Sequence, residues 1–398
     1  MKQLPLVLAL GAASICNLTH AQSVQVYGRL YPYVEQESGS GATAVGTAVS
    51  TLSAAPTGTL GIPSVKGMSA GNSNIGLRGK EDLGGGLRAN FQIEGVVAVD
   101  TGSANGFIWN RNGFVGLEGG FGEIRLGNMD TVQKEYGDTL GILGISSGTP
   151  VSSSNILRKA PFGTSNASRF HERRPNSIRY DSPAIGGIQG ALQVATQENP
   201  TATIGAAKTY SMGLKYDGGP LYLAVAYEIH DNFFGGSSNA PTAMRNNAAG
   251  STVTSKDTAL QATVEWRVTK DQKVEFDVIQ KNYDESATVT GRFQNYKNTA
   301  YMVAYDGRFG LARVMAHYVK SGAGSCTRVA AVCNTVGLEG TQFTAGISYN
   351  TSRRTYFYAA YTKMDNGVSA RFAATDLGGV PSVGESSRHL IAGVAHSF

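Results

Sequence analysis

Along most of this chain apolar and polar residues alternate one for one. Residues 221–229 put Leu221, Leu223, Val225, Tyr227 and Ile229 on one side and Tyr222, Ala224, Ala226 and Glu228 on the other. In 258–268, Leu260, Ala262, Val264, Trp266 and Val268 oppose Gln261, Thr263, Glu265 and Arg267. In 87–93, Leu87, Ala89, Phe91 and Ile93 oppose Arg88, Asn90 and Gln92, and in 188–194, Ile188, Leu192 and Val194 oppose Gln189 and Gln193. A period of two belongs to an extended strand whose side chains leave by opposite faces. Beyond residue 21 no segment keeps an apolar stripe at helical spacing over three turns. None approaches the ~18 consecutive apolar residues of a spanning helix.

The strands come in pairs. Turn signals rich in Gly, Pro, Asp or Lys stand at 82–86, 119–122, 183–187, 217–220, 269–272, 306–310 and 351–354. Between the pairs run longer polar segments, among them 38–72, 128–172, 231–256, 321–340 and 365–387. Seven short turns and eight longer connections join sixteen strands. Short turns at one end and long loops at the other describe an all-β, up-and-down transmembrane β-barrel with sixteen antiparallel strands. The two faces say what lies on each side. One face is apolar, and strands of about ten residues, tilted, span a lipid band of about 25–30 Å. The other carries Arg, Lys, Gln, Glu and Tyr, which a dry sandwich core could not hold unpaired but a wet lumen can. Sixteen strands leave an open aqueous channel, and closure removes edges that lipid cannot satisfy. Residues 24–31 and 389–398 offer first and last strands to close the ring. Tyr31, Tyr33, Tyr210, Tyr216, Tyr227, Trp266, Tyr301, Tyr305 and Phe398 fall near predicted strand ends, where interfacial girdles belong.

Residues 1–21 have Lys2, an apolar stretch from Leu4 to Ile15, and Thr19-His20-Ala21 before the cut expected near Gln22. This is the order of a secretory signal peptide, with residues 22–398 as one barrel domain; the rival is a buried N-terminal helix. Cys16 leaves with the leader. Cys326 and Cys333 remain, with six residues between them, and in an oxidising compartment they suit a local disulfide, two free thiols being the alternative. No His or second Cys pair stands near them, so a metal site is not expected there. The net charge is +5, only 16% of residues are charged, and no block of like charge marks a nucleic-acid partner.

Enzyme signatures are weak. Gly144-Ile145-Ser146-Ser147-Gly148 fits G-x-S-x-G, but it sits in a Gly/Ser-rich loop with no helical pattern behind it. Only His171, His230, His317, His389 and His396 follow the leader, and two of them lie in the closing strand. Gly79-Lys80 lacks the Gly and the Ser or Thr of a phosphate loop, having Asn74 and Glu81 instead. No catalytic group and no cofactor is expected. An exported β-sandwich, a phage receptor or an adhesin is the rival binding-protein reading.

Particular stretches resemble a known family. VQVYGRLYPYVE near the start, SNIGLRGKEDLGGGLRANFQIE (73–94), NRNGFVGLEGGFGEIRLGN (110–128), RRPNSIRYDSP (173–183) and the terminal GVAHSF are similar to Gram-negative general porins of beta-proteobacteria. The resemblance spans the chain beyond the leader. It implies a homotrimer in outer-membrane lipid, a third loop folded into each pore, and diffusion of ions and small hydrophilic solutes. Matched by motif, that loop runs over about 128–172, with Asp130, Glu135 and Asp138 as its acids and Arg78, Arg173 and Arg179 as the basic wall opposite. Arg88 and Arg125 join the polar face by alternation alone. The chain departs from the family at Asn74 and Asn128, where Arg is usual, and it lacks the acidic PEFGG stretch. Within 128–173, Asp130, Glu135, Asp138 and Glu172 face Lys134, Arg158, Lys159, Arg169 and Arg173, a near balance. With the overall positive charge, weak anion preference is expected.

Overall fold

The computed structural model describes residues 23–103, 109–137, 139–144, 148–198, 205–248, 250–374, 377 and 379–398. The expected leader, Asp138 and the central three residues of GISSG lie outside them.

One antiparallel sheet closes on itself. Strands β1 (Ser23–Leu30) and β2 (Tyr33–Ser40) are halves of one stave, interrupted at Tyr31 and Pro32. Proline has no N–H to give to a ladder, and the Tyr31 N–H instead donates to Ser73 Oγ at 2.7 Å. The neighbouring stave breaks at the same height, into β3 (Val65–Ser69) and β4 (Asn74–Gly84). There follow β5 (Leu87–Val96), β6 (Gly113–Gly119), β7 (Gly122–Asp130), β8 (Arg173–Asp181), β9 (Ile188–Thr196), β10 (Lys208–Gly218) and β11 (Leu221–Asp231). Next come β12 (Ser255–Thr269), β13 (Gln272–Glu285), β14 (Phe293–Phe309), β15 (Ala312–Ser321), β17 (Gly340–Asn350), β18 (Thr355–Asn366) and β19 (Ser386–Ser397). Short β16 (Ser325–Arg328) extends a loop against the end of β14 and is not a stave. Sixteen staves result. β19 closes the ring on β2, with His389 opposite Glu37, and reaches β1, with His396 opposite Leu30.

Every predicted short turn joins two strands at one end of the barrel. Two-residue connections such as those after β10 and β14 need left-handed backbone, supplied by Gly219 (φ 56°) and Gly310 (φ 63°). The barrel is apolar outside and polar inside. Val225, Leu260, Val264, Trp266 and Leu390 are exposed on the outer wall, while Glu228, Gln261, Thr263, Glu265 and His389 are buried within.

Two apolar clusters also lie inside. One joins Leu157, Phe162 and Phe170 of the third long loop to Tyr283, Tyr296 and Phe372. The other joins Ile142, Leu143 and Met315 to Tyr31, Tyr33 and Tyr358. The girdle expectation is therefore corrected for two residues. Tyr31 and Tyr33 point into the barrel, and Tyr31 stacks on Tyr358 with ring centres 4.3 Å apart. The break at Pro32 and the loop seated against it give those rings an apolar niche inside. Trp266, Tyr301 and Phe398 do face outward. A disulfide joins Cys326 and Cys333 in the loop between β15 and β17.

Candidate functional site, a lumen narrowed by one loop

Residues 131–172 leave the rim after β7 and return at β8, and between those points they cross the barrel interior. Thr131 starts the first helix, α1 (Val132–Tyr136), its Oγ1 accepting the Lys134 N–H at 3.3 Å. Five residues cannot hold a helix alone; the wall holds this one. The Gln133 N–H donates to Ser211 Oγ on β10 at 3.0 Å, and the Tyr222 hydroxyl of β11 donates to the Tyr136 carbonyl at 2.7 Å. Gly213 makes the close approach possible, since a Cβ there would stand 2.9 Å from the Tyr136 ring.

Farther on, side chains of loop and wall interlock with each other and with loop carbonyls. Arg158 donates to Gln261 Oε1 at 3.0 Å and to the Gly137 carbonyl. Lys281 Nζ donates to the carbonyls of Leu157 and Lys159 at 2.9 and 3.0 Å. The second helix, α2 (Ser154–Leu157), packs on β14, β15 and β17, where Gln342 donates to the Ser152 carbonyl at 3.1 Å. Lys159 Nζ reaches the Ala373 carbonyl of the last long loop at 2.8 Å. Burial pushes the Lys159 amine down to about 7, with Arg169 adding repulsion. Burial likewise holds the His171 imidazole well below its usual range, with Arg158 the next cause.

The loop thus lies against the wall from β8 round to β18 and on to Tyr31 and Tyr33 at the break between β1 and β2. The opposite wall, β1 and β4–β7, stays open and borders a cavity of ≈ 540 Å³ lined by Gln25, Arg78, Lys80, Asn90, Gln92, Phe114, Glu118, Glu123 and Arg125. Arg78 is exposed there; its Nε donates to Gln25 Oε1 at 3.0 Å and its guanidinium lies 4.8 Å from the Tyr27 ring centre. Arg29 lies over the Tyr31 ring at 4.9 Å and points Nη2 at the Gly144 carbonyl, 3.4 Å away. Among the described residues neither arginine forms an ion pair. Lys80 meets Glu118 at 2.8 Å, and Arg88 stands 4.0 Å from the same carboxylate. Arg125 bridges Glu123 at 3.5 Å and Asp181 at 2.6 Å.

The acids sit elsewhere. Asp130 ends β7 rather than lying on the loop, and pairs in register with Arg173 of β8. Its Oδ1 is ion-paired to Lys134 and to Arg173, each at 2.9 Å. Glu135, on α1, is ion-paired to Arg179, which is 1% exposed and also held by Asp181 at 2.7 Å. The sequence reading set Arg173 and Arg179 opposite the acids; the structure sets them beside the acids. The reason is topological: the loop departs and returns on adjacent strands, so residues flanking its two ends are lateral neighbours. Arg78 and Arg88, on β4 and β5, do belong to the wall away from the acids, whereas Arg125 lies cross-strand from Arg179 and shares Asp181 with it. Lys80 and Asp181 were missed, although they share the inward parity of Arg78 and Arg179, and Arg29 was missed because Tyr31, of the same parity, had been assigned outward.

A closed barrel, apolar toward lipid and crossed inside by a loop that leaves a charged passage, defines an outer-membrane channel. The family model for Gram-negative porin matches residues 7–369, and the chain belongs to that family. It is similar to outer membrane porin protein 32 of Delftia acidovorans, 36% identical over 171 residues (42% of this chain, 47% of that protein). It is also similar to major outer membrane protein P.IB of Neisseria meningitidis serogroup B, 34% identical over 160 residues (40% and 43%). The matches thus span less than half of these relatives. In fold it is similar to the anion-selective porin from Comamonas acidovorans (TM-score 0.69, 22% identity, 95% of this chain and 100% of that one). OmpT of Vibrio cholerae, folded in vitro, gives a TM-score of 0.59 at 13% identity, over 95% and 98% of the two chains.

Proposed function

We propose that this porin is a homotrimeric, water-filled channel through which ions and small hydrophilic solutes diffuse passively, with a weak preference for anions. One observation carries the sign: among the described residues the open wall presents Arg29 and Arg78 without carboxylate partners, while Asp130 and Glu135 are each tied to cations of their own side. A charge beside a low-dielectric wall acts more strongly than in free solution, so unpaired guanidinium groups along a narrow path draw in anions and repel cations. The tyrosine faces beneath them hold both groups extended along the wall. Arg78, Arg88 and Arg125 read as the basic wall, and Asp130, Glu135, Asp138, Arg173 and Arg179 as the cluster that sets the loop's position. The same reading has residues 1–21 removed during export, leaving a chain that starts at Gln22. Purified protein in a planar bilayer under a salt gradient tests it. We expect conductance steps in multiples of three and a reversal potential on the anion side; cation selectivity would refute the sign.

A further inference from the structure

The seam between the first and last staves carries a cluster that the passage does not use. Glu35 and Glu37 on β2 and His389 on β19 are 3%, 0% and 1% exposed. One ligand atom from each lies within 4.8 Å of the others. His389 Nδ1 is 2.7 Å from Glu35 Oε1, and His389 Nε2 is 3.1 Å from Ser387 Oγ. Among the described residues, both Glu37 oxygens and Glu35 Oε2 lack a hydrogen-bond partner. The charged groups that act on Glu37 are His389, Glu35 and Glu385, two of them acidic. Glu385 is engaged by the N–H groups of Gly61, Ile62 and Ser382. A buried carboxylate with no donor and acidic company is costly unless a cation joins it.

We propose that Glu35, Glu37 and His389 bind one divalent cation of the zinc class, clasping the seam where the barrel closes. Two carboxylates and one imidazole are a donor set for zinc, with water in the fourth place; calcium and magnesium favour oxygen alone and more ligands. Ligand atoms around tetrahedral zinc stand about 3.4 Å apart, so small side-chain rotations close the cluster on the ion. Nδ1 ligates in the tautomer that carries its proton on Nε2, and Nε2–H donates to Ser387 Oγ, which fixes the ring. Two ligands come from near the start of the chain and one from its end, so the ion binds the closed barrel and not the open chain.

The test uses the folded, full-length protein in detergent, stripped with a chelator and then given Zn²⁺ or Co²⁺. We expect one zinc per chain and a thermal unfolding midpoint that rises with zinc concentration. Glu37→Gln, close in shape to the original, weakens zinc binding by more than about tenfold and abolishes the rise, as does His389→Gln, while His396→Gln keeps both. Equal zinc binding by wild type and Glu37→Gln overturns the proposal, and so does binding lost only with His396. Should either ligand variant fail to fold, wild type with Co²⁺ decides: the absorption of a four-coordinate site upholds the clasp, and a six-coordinate, hydrated spectrum refutes it.

Discussion

At the scale of single residues, ion choice rests on which charges are already partnered. Arg78→Gln removes an unpaired cation from the open wall and lowers anion-over-cation permeability by about twofold, read from reversal potentials. Glu135→Gln moves the same measurement the other way, because Arg179 keeps only Asp181 and regains positive field. The Lys159 amine, pushed down to about 7 by burial, adds a pH dependence. It is charged below that pH and neutral above it, so anion preference falls as pH rises from about 6 to about 8. Lys159→Met flattens that profile. His171→Gln leaves it unchanged, since that imidazole is already neutral throughout. The inward parity of Arg88 and Arg125 was legible in the alternation, while Arg78 came from the family resemblance. Whether an acid faces an arginine across water or beside it was not. Parity assigns a face, while pairing depends on where a forty-residue excursion folds back.

Among the elements, strands and turns were legible because their signals are local: alternation in 221–229, Gly219 and Gly310 at tight turns. Helix α1 was invisible, being too short to show a stripe and held only by tertiary contacts with Ser211 and Tyr222. That dependence is testable at Gly213. Gly213→Val drives a side chain into Tyr136 and Val132. It destabilises the folded barrel by about 1–3 kcal/mol, seen as a lowered unfolding midpoint, with noisier single-channel currents as α1 lifts.

For the whole molecule, the inversion of faces makes lipid or detergent part of the folded state. The disulfide between Cys326 and Cys333 lies in the loop between β15 and β17 and packs against the apolar cluster of Leu157, Phe162 and Phe372. Its reduction leaves conductance unchanged within error and increases protease cleavage between residues 322 and 339. A fall in conductance on reduction would place that loop in the permeation path.

The inward loop leans on one arc of the ring, from β8 to β18, by bonds that engage its backbone. A traveller therefore brushes a single crescent, and the staves behind the loop are screened from it. The channel's discrimination is thus lopsided: exchanges on the bare crescent retune directly what crosses, whereas exchanges behind the curtain reach transport only where they loosen the loop.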